Sequence, residues 1–515
     1  MRITFLNPPF HNRFSRESRS PAVTKSDTLY YPKWLCHSAG YAEKMQHKVD
    51  VIDAPAEEHS VAYVIDRIES FGSKLLVCDT STPSILNDLK VCEQIKLAIP
   101  GIFILMVGRH VSAMPFETLK SSIAVDAVAL REYELTVVDV ALALESGASL
   151  EQVHGLAIRL KGEAVKTPDR AAIEDLDILP FVSETYKKFL NTEKYFYGHS
   201  LHPLVVFDTT RGCPYHCSFC VYPQTFSGHR VRYRSVAHVA DEFDFVTREL
   251  PHIRTVMLED DTFIINKKRT EELADELILR GNKLPFDSNC RVDIGVDVEF
   301  LTKLHKAGAR LFCVGFESGN TSVISHMQKN NSSKKDEPYL DTAREFTLAC
   351  QKAGIMLHGC FMFGNLNETK ETLRDTLNFA KTLPLDTAQF FPIMVYPGTT
   401  AYEEAKSRGL LTTEDFNKWL TPSGLHNSVV QLENLSHDDL VNFADHARRA
   451  FYLRPRYLVR KAIQSLRSYE ELKRNIKGFK KLLKFLVLGS DLAVAHQGPS
   501  LDKKDQNVIK IHPKK

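Results

Sequence analysis

A chain of 515 residues, 43% hydrophobic and 25% charged, is too long for one ordinary domain and has a globular composition. Its 66 Lys and Arg stand against 64 Asp and Glu, which excludes a global electrostatic footprint for nucleic acid. No stretch approaches the roughly 18 uncharged apolar residues of a bilayer span, and MRITFLNPPF breaks at Pro8 and Pro9 far short of a signal-peptide core, so a cytoplasmic protein is expected.

Residues 2–6 (RITFL) read as a short buried strand, and helical apolar spacing through Trp34, Leu35, Ala39 and Ala42 leads to a second strand at 49–53. The pattern repeats. Spacing around Val64, Ile65 and Ile68 precedes KLLVCD, and spacing from Ile85 to Ile95 precedes IFILMVG. Strands alternating with helices of this length imply a parallel sheet, helices on both faces and a ligand crevice at the strands' C-terminal ends. This predicts a doubly wound, Rossmann-like domain over 1–147. Residues 148–200 are expected as a linker with a hairpin turning at Lys161-Gly162. Six further strand candidates (LVVFDTT, RTVML, PFDSNC, RLFCVGF, IMLHGCF, AQFFPIM) predict a partial (βα)6 barrel over 201–412, with functional residues at strand C-terminal ends. A helical region over 413–495 and a disordered tail over 496–515 complete an α/β fold class.

Seven of the ten cysteines (Cys36, Cys78, Cys92, Cys290, Cys313, Cys350, Cys360) are scattered and read as small buried hydrophobes. The other three form Cys213-Pro-Tyr-His-Cys217-Ser-Phe-Cys220, directly after the first barrel strand. Thiolate is the ligand that iron-sulfur clusters require, and a [4Fe-4S] cube held by three leaves one iron open for the amino and carboxylate groups of S-adenosylmethionine (SAM). Structural zinc would want a fourth ligand in paired spacing, and no second pair exists nearby.

C-x3-C-x2-C with Phe219 before the last cysteine resembles the radical SAM superfamily signature over about 200–410. The resemblance implies SAM contacts from Phe219, from Asp260 and Asp261 after the second strand, from Arg291 after the third, and from Glu317 and Ser318 after the fourth. Where relatives read G-L-P-G-E-T, this chain reads Gly364-Asn365-Leu366-Asn367-Glu368-Thr369.

A doubly wound domain upstream of such a barrel resembles the cobalamin-binding domain of class B radical SAM methylases. Its support is LNPPF at 6–10, VIDAPA at 51–56, DTSTPS at 79–84 and Gly108-Arg109-His110. The resemblance implies cobalamin contacts from Ser81, Thr82, Gly108 and Glu132. Arg109 stands where the family commonly has a second glycine, and Arg131-Glu132-Tyr133-Glu134 replaces a G-E-x-E run, so a remodelled pocket and a purely structural domain are both open readings. The D-x-H-x-x-G histidine that ligates cobalt elsewhere is absent, and His110 reads as a loop histidine.

From Arg448 to Lys484 basic residues interleave with apolar ones at steps of three and four, so one helical face is apolar and the other cationic. The bland reading is a helix packed on the barrel; the other is peripheral contact with an anionic membrane. The function expected is a cobalamin-dependent radical SAM enzyme that methylates an unactivated carbon of a small-molecule or lipid substrate, with a flavodoxin or ferredoxin-type reductant. Radical cyclisation, rearrangement or oxidation without methyl transfer is the alternative, and a non-catalytic cobalamin or cluster sensor is a third. No individual catalytic side chain is assigned.

Overall fold

The computed structural model describes residues 1–330, 338–467 and 469–495. Its first sheet contains β1 (Arg2–Asn7), β2 (Lys48–Asp53), β3 (Leu75–Thr80), β4 (Phe103–Gly108), β5 (Ala127–Ala129), β6 (Leu156–Leu160) and β7 (Glu163–Lys166), in the order β2-β1-β3-β4-β5-β6-β7. The first five strands are parallel. Leu75–Thr80 is buried throughout, as a strand covered by helices on both faces must be. Winding reverses beside β1, so the crevice of a doubly wound sheet opens near Asn7 and Thr80.

The hairpin forms where expected, with Lys161 and Gly162 at φ of 51° and 89°. It is not a linker, however. β6 pairs antiparallel with β5 through Ala127↔Ile158, which satisfies the backbone groups that a three-residue edge strand would leave open. The sheet therefore runs past 147 to Lys166.

Next come β8 (Leu204–Phe207), a short antiparallel pair β9 (Thr210–Arg211) and β10 (Arg232–Tyr233), then β11 (Thr255–Leu258), β12 (Phe286–Cys290), β13 (Ala309–Glu317), β14 (Met356–Phe363) and β15 (Thr387–Pro392). The parallel sheet β8-β11-β12-β13-β14-β15 has β8 and β15 as its two edges, which is the open (βα)6 barrel. Buried ion pairs join it to the first domain: Arg211, held by Asp208 of its own domain at 3.0 Å, meets Glu134 at 2.7 Å, and Arg232 grips both oxygens of Glu132.

The helix His437–Tyr452 packs on β15, where the Tyr452 hydroxyl donates to the Ala388 carbonyl at 2.7 Å. Two more helices follow, Pro455–Arg467 and Tyr469–Ala495. Their expected faces are partly exchanged. Leu458, Leu466 and Phe479 are 45%, 86% and 48% exposed. Meanwhile Arg474 and Lys461 turn inward to Asp386 (2.8 and 2.5 Å), and Arg448 to Asp445, because a buried carboxylate must find a cation or hydrogen-bond donors. The tail expected over 496–515 lies outside the described residues. Among the described residues no helix is long and apolar enough to cross a membrane.

Candidate active site

The cysteine loop leaves β9 through Gly212, at φ 93°, where a Cβ would lie 2.1 Å from the Arg230 carbonyl oxygen. Only glycine fits this crossing. Backbone bonds then shape the loop without using the sulfurs: Cys213 N donates to Gly228 O (3.2 Å), Ser218 N to Met327 O (3.0 Å) and Cys220 N to Cys217 O (3.1 Å). The Gln224 amide ties down the carbonyls of Cys217 (3.3 Å) and Cys220 (2.9 Å).

All three thiols line one cavity of about 660 Å³, within the usual range for a small-molecule site. Burial pushes the Cys213 thiol up to about 11 and the Cys220 thiol up to about 12. Neighbouring sulfurs on one tetrahedral zinc would sit ~3.8 Å apart. Among the described residues, the one trio of His, Cys, Asp or Glu whose donor atoms all lie within 4.8 Å is a different one, Cys313, His358 and Cys360. Cys213, Cys217 and Cys220 are not so grouped, as expected if they serve separate iron atoms rather than one ion.

Phe219, Asp261, Arg291 and Glu317 line the same cavity. Arg291 donates to Cys217 Sγ at 3.2 Å, pairs with Asp293 at 2.6 Å and stacks on Tyr215, its guanidinium carbon 3.7 Å from the ring centre. Glu317, at φ 66°, meets Lys329 at 2.9 Å. Asp261 accepts from Ser227 Oγ (3.0 Å) and Arg19 (3.2 Å).

Two residues expected at SAM do not line the cavity. Asp260 is fully buried and accepts from Thr209 N (2.6 Å), Thr209 Oγ1 (2.7 Å) and Thr210 N (3.0 Å), so it fastens the loop behind the site. Extended backbone alternates its side chains, which sends Glu259 and Asp261 into the cavity and Asp260 away from it. Ser318 is likewise buried, bonded to Thr376 Oγ1 at 2.9 Å.

The first domain departs further from expectation. Ser81 and Thr82 are buried and bonded within the domain, to Ser84 (2.8 Å) and His110 (3.1 Å). His110, its pKa lowered to about 3 by burial, also meets the Phe416 ring edge-on at 5.1 Å. Gly108, at φ 111°, is needed because a Cβ would approach Thr80 O to 2.6 Å, which is strand packing. Glu132 is spent on Arg232 across the domain boundary, so its carboxylate is not free for a cofactor. The residues that sequence reasoning missed are Asp79, Arg109 and Tyr133. Buried at the C-terminal ends of β3, β4 and β5, they leave Asp79 Oδ2, Arg109 Nη1 and the Tyr133 hydroxyl without a partner. Their signal was position alone, at or just after the C-terminal ends of three strands.

Two family models match the chain: the radical SAM superfamily over residues 207–380 and the B12 binding domain over residues 19–141. The chain carries a radical SAM domain together with a B12-binding domain. This radical SAM protein is 28% identical over 460 residues to an uncharacterized methyltransferase of Pyrococcus horikoshii, across 89% of this chain and 94% of that one. It is 26% identical over 427 residues to the anaerobic magnesium-protoporphyrin IX monomethyl ester cyclase of Rubrivivax gelatinosus, across 81% and 72%. Its fold matches the radical SAM methyltransferase TsrM from Kitasatospora setae (TM-score 0.62, 18% identity, 80% and 77% covered). It also matches the cobalamin-dependent radical SAM enzyme OxsB (TM-score 0.67, 15% identity, 96% and 74% covered).

These two domains imply a [4Fe-4S] cluster and SAM at the barrel and cobalamin at the first domain. The barrel fits: the thiols of Cys213, Cys217 and Cys220, the carboxylates of Glu259, Asp261 and Glu317 and the Arg291 guanidinium converge on one cavity. The first domain fits as well. An unpartnered buried polar atom costs about 1–3 kcal/mol, and Asp79, Arg109 and Tyr133 each hold one that a polar cofactor edge could satisfy.

Proposed function

We propose that this radical SAM enzyme methylates an unactivated carbon of an elongated, mainly apolar small molecule or lipid. The observation that carries the reading is the cavity itself. It runs from the three thiols at the strands' C-terminal ends, past Phe390 and Met394, to Lys461, Ile476 and Phe479 of the terminal helices. Bound in it, SAM and the reduced cluster would supply a 5'-deoxyadenosyl radical and cobalamin a transferable methyl group.

Each side chain has a distinct task in this reading. Cys213, Cys217 and Cys220 hold three corners of the cluster, and the Arg291 guanidinium, 3.2 Å from Cys217 Sγ, offsets thiolate charge. Asp261 and Glu317 would hold the SAM ammonium group, with Lys329 fixing the Glu317 carboxylate. Asp79, Arg109 and Tyr133, each with an unpartnered buried polar atom, would hold cobalamin. Apolar walls keep water from a reactive radical.

Protein loaded anaerobically with cluster and cobalamin should convert methyl-labelled SAM, a flavodoxin or ferredoxin reducing system and a host lipid extract into a labelled lipid plus 5'-deoxyadenosine. The similarity to ester cyclases favours a second reading, radical ring formation without methyl transfer. 5'-Deoxyadenosine with no labelled product would select it, and the absence of both would leave a sensor.

The exposed Leu458, Leu466 and Phe479 beside Lys473, Lys477, Lys480 and Lys481 support peripheral membrane contact as the route to such a substrate. Each lysine near an anionic surface contributes roughly 1 kcal/mol. The protein should float with anionic vesicles at low salt and not at high salt, and replacing these four lysines by Gln should weaken flotation without loss of iron. Indifference of the wild type to anionic vesicles at low salt would make a soluble substrate the better reading.

A further inference from the structure

Three donors outside the cluster loop meet inside the barrel. Cys313 on β13 pairs in register with His358 on β14, and Gly315 pairs with Cys360. Every second residue of a strand faces the same side, so Cys313, His358 and Cys360 all point into the lumen, and all three line the cavity. The place of a Cβ at Gly315 is taken by the Glu317 carboxylate, 2.2 Å from it, and the Cys360 sulfur lies within 3.7 Å of the Cys313 sulfur. The donor atoms of the trio all lie within 4.8 Å of one another.

That sulfur separation fits a shared metal as well as a thiol–thiol hydrogen bond, and it rules out a disulfide. A disulfide needs about 2.05 Å, whereas two thiolates on one tetrahedral zinc, with bonds of ~2.3 Å, stand ~3.8 Å apart. The imidazole is held as a metal-binding histidine is usually held: His358 Nδ1 contacts the Thr387 hydroxyl at 2.7 Å, which orients the ring and leaves Nε2 for a ligand. His199 stacks on the same ring at 4.6 Å, and its own Nε2 is buried without a partner.

We propose that Cys313, His358 and Cys360 form a mononuclear Zn²⁺ site in the barrel lumen, separate from the iron-sulfur cluster, with its fourth position open to the cavity. Two thiolates and one imidazole are a zinc donor set, and three protein ligands with one open position are the pattern of a zinc that takes a water or substrate donor rather than one that only staples a fold. The site draws no residue from the cluster loop or from Asp79, Arg109 and Tyr133, so it stands or falls independently of the cluster and cobalamin assignments.

The test starts from protein carrying cluster and cobalamin, stripped of loose metal and titrated anaerobically with ZnCl2 against a chromophoric chelator. One zinc should bind per chain, and X-ray absorption at the zinc edge should show two sulfurs at ~2.3 Å and nitrogen at ~2.0 Å. Cys313→Ser with Cys360→Ser should weaken zinc binding at least 100-fold while bound iron stays unchanged, and His358→Gln should weaken it about 10-fold or more. Unchanged iron content also reports that these variants fold. Equal zinc binding by wild type and double variant, a zinc spectrum with three or four sulfurs and no nitrogen, or a Cys313–Cys360 disulfide in the anaerobically isolated protein would each overturn the proposal.

Discussion

Replacing Cys213, Cys217 and Cys220 together by Ala should lower bound iron from about four per chain to background, and abolish SAM cleavage with it. A cube anchored at three corners has no redundancy, so each single substitution should also remove most of the iron. Cys290→Ala is the control: Cys290 lines the same cavity, but its thiol is buried against Ser288 at 3.6 Å, and iron should be retained. Because burial holds the Cys213 and Cys220 thiols protonated at neutral pH, binding iron must expel their protons. Iron incorporation should therefore rise between about pH 7 and about pH 8.5. Iron and sulfide analysis of anaerobically reconstituted protein reads both effects, and a full iron complement in the triple variant would remove the assignment.

The sequence displayed the architecture because most of its signals are periodic. KLLVCD and IFILMVG are long enough to register as buried strands, and three cysteines within eight residues mark their loop without help from tertiary structure. β5 was missed since Ala127–Ala129 is too short to show any period, and with it went the reason for the hairpin to join the first sheet. Side-chain direction was the harder matter. Glu259, Asp260 and Asp261 are equivalent as letters, and only the path of the loop sends the middle one back to Thr209. Cys313 and Cys360, 47 residues apart, become neighbours only through the register of β13 and β14. Glu132 read as a cofactor contact because its partner Arg232, a hundred residues away, belongs to another domain.

The terminal helices show the same limit and give the largest stability effect. The basic run after Arg448 reads as one cationic face, yet its centre is a buried chain of charges: Lys461 and Arg474 on Asp386, Arg474 on Glu471 (2.7 Å), Glu471 on Arg310 (2.7 Å), and Arg310 on Asp287 (2.8 Å). Burial alone would raise the Asp386 carboxyl, but Arg474 and Lys461 hold it well below the usual carboxylate range. Asp386→Asn keeps the shape and removes the charge, leaving two inward-facing cations with less to pair with. Breaking a buried pair from one side costs about 3–5 kcal/mol, so the melting temperature should fall by about 10 °C, with hydrogen exchange over 455–487 rising first. Lys461→Met should be far milder. Burial has already lowered the Lys461 ammonium to about 8, and Arg474 keeps its own bond to Asp386. A depressed carboxylate contributes fully above its unfolded pKa of about 3.9 and loses that contribution only as the pH falls through the folded value. The gap between wild type and Asp386→Asn should therefore be constant from about pH 5 to about pH 7 and narrow only in stronger acid. A melting temperature for Asp386→Asn within about 2 °C of wild type would show that the terminal helices are held by their apolar contacts instead.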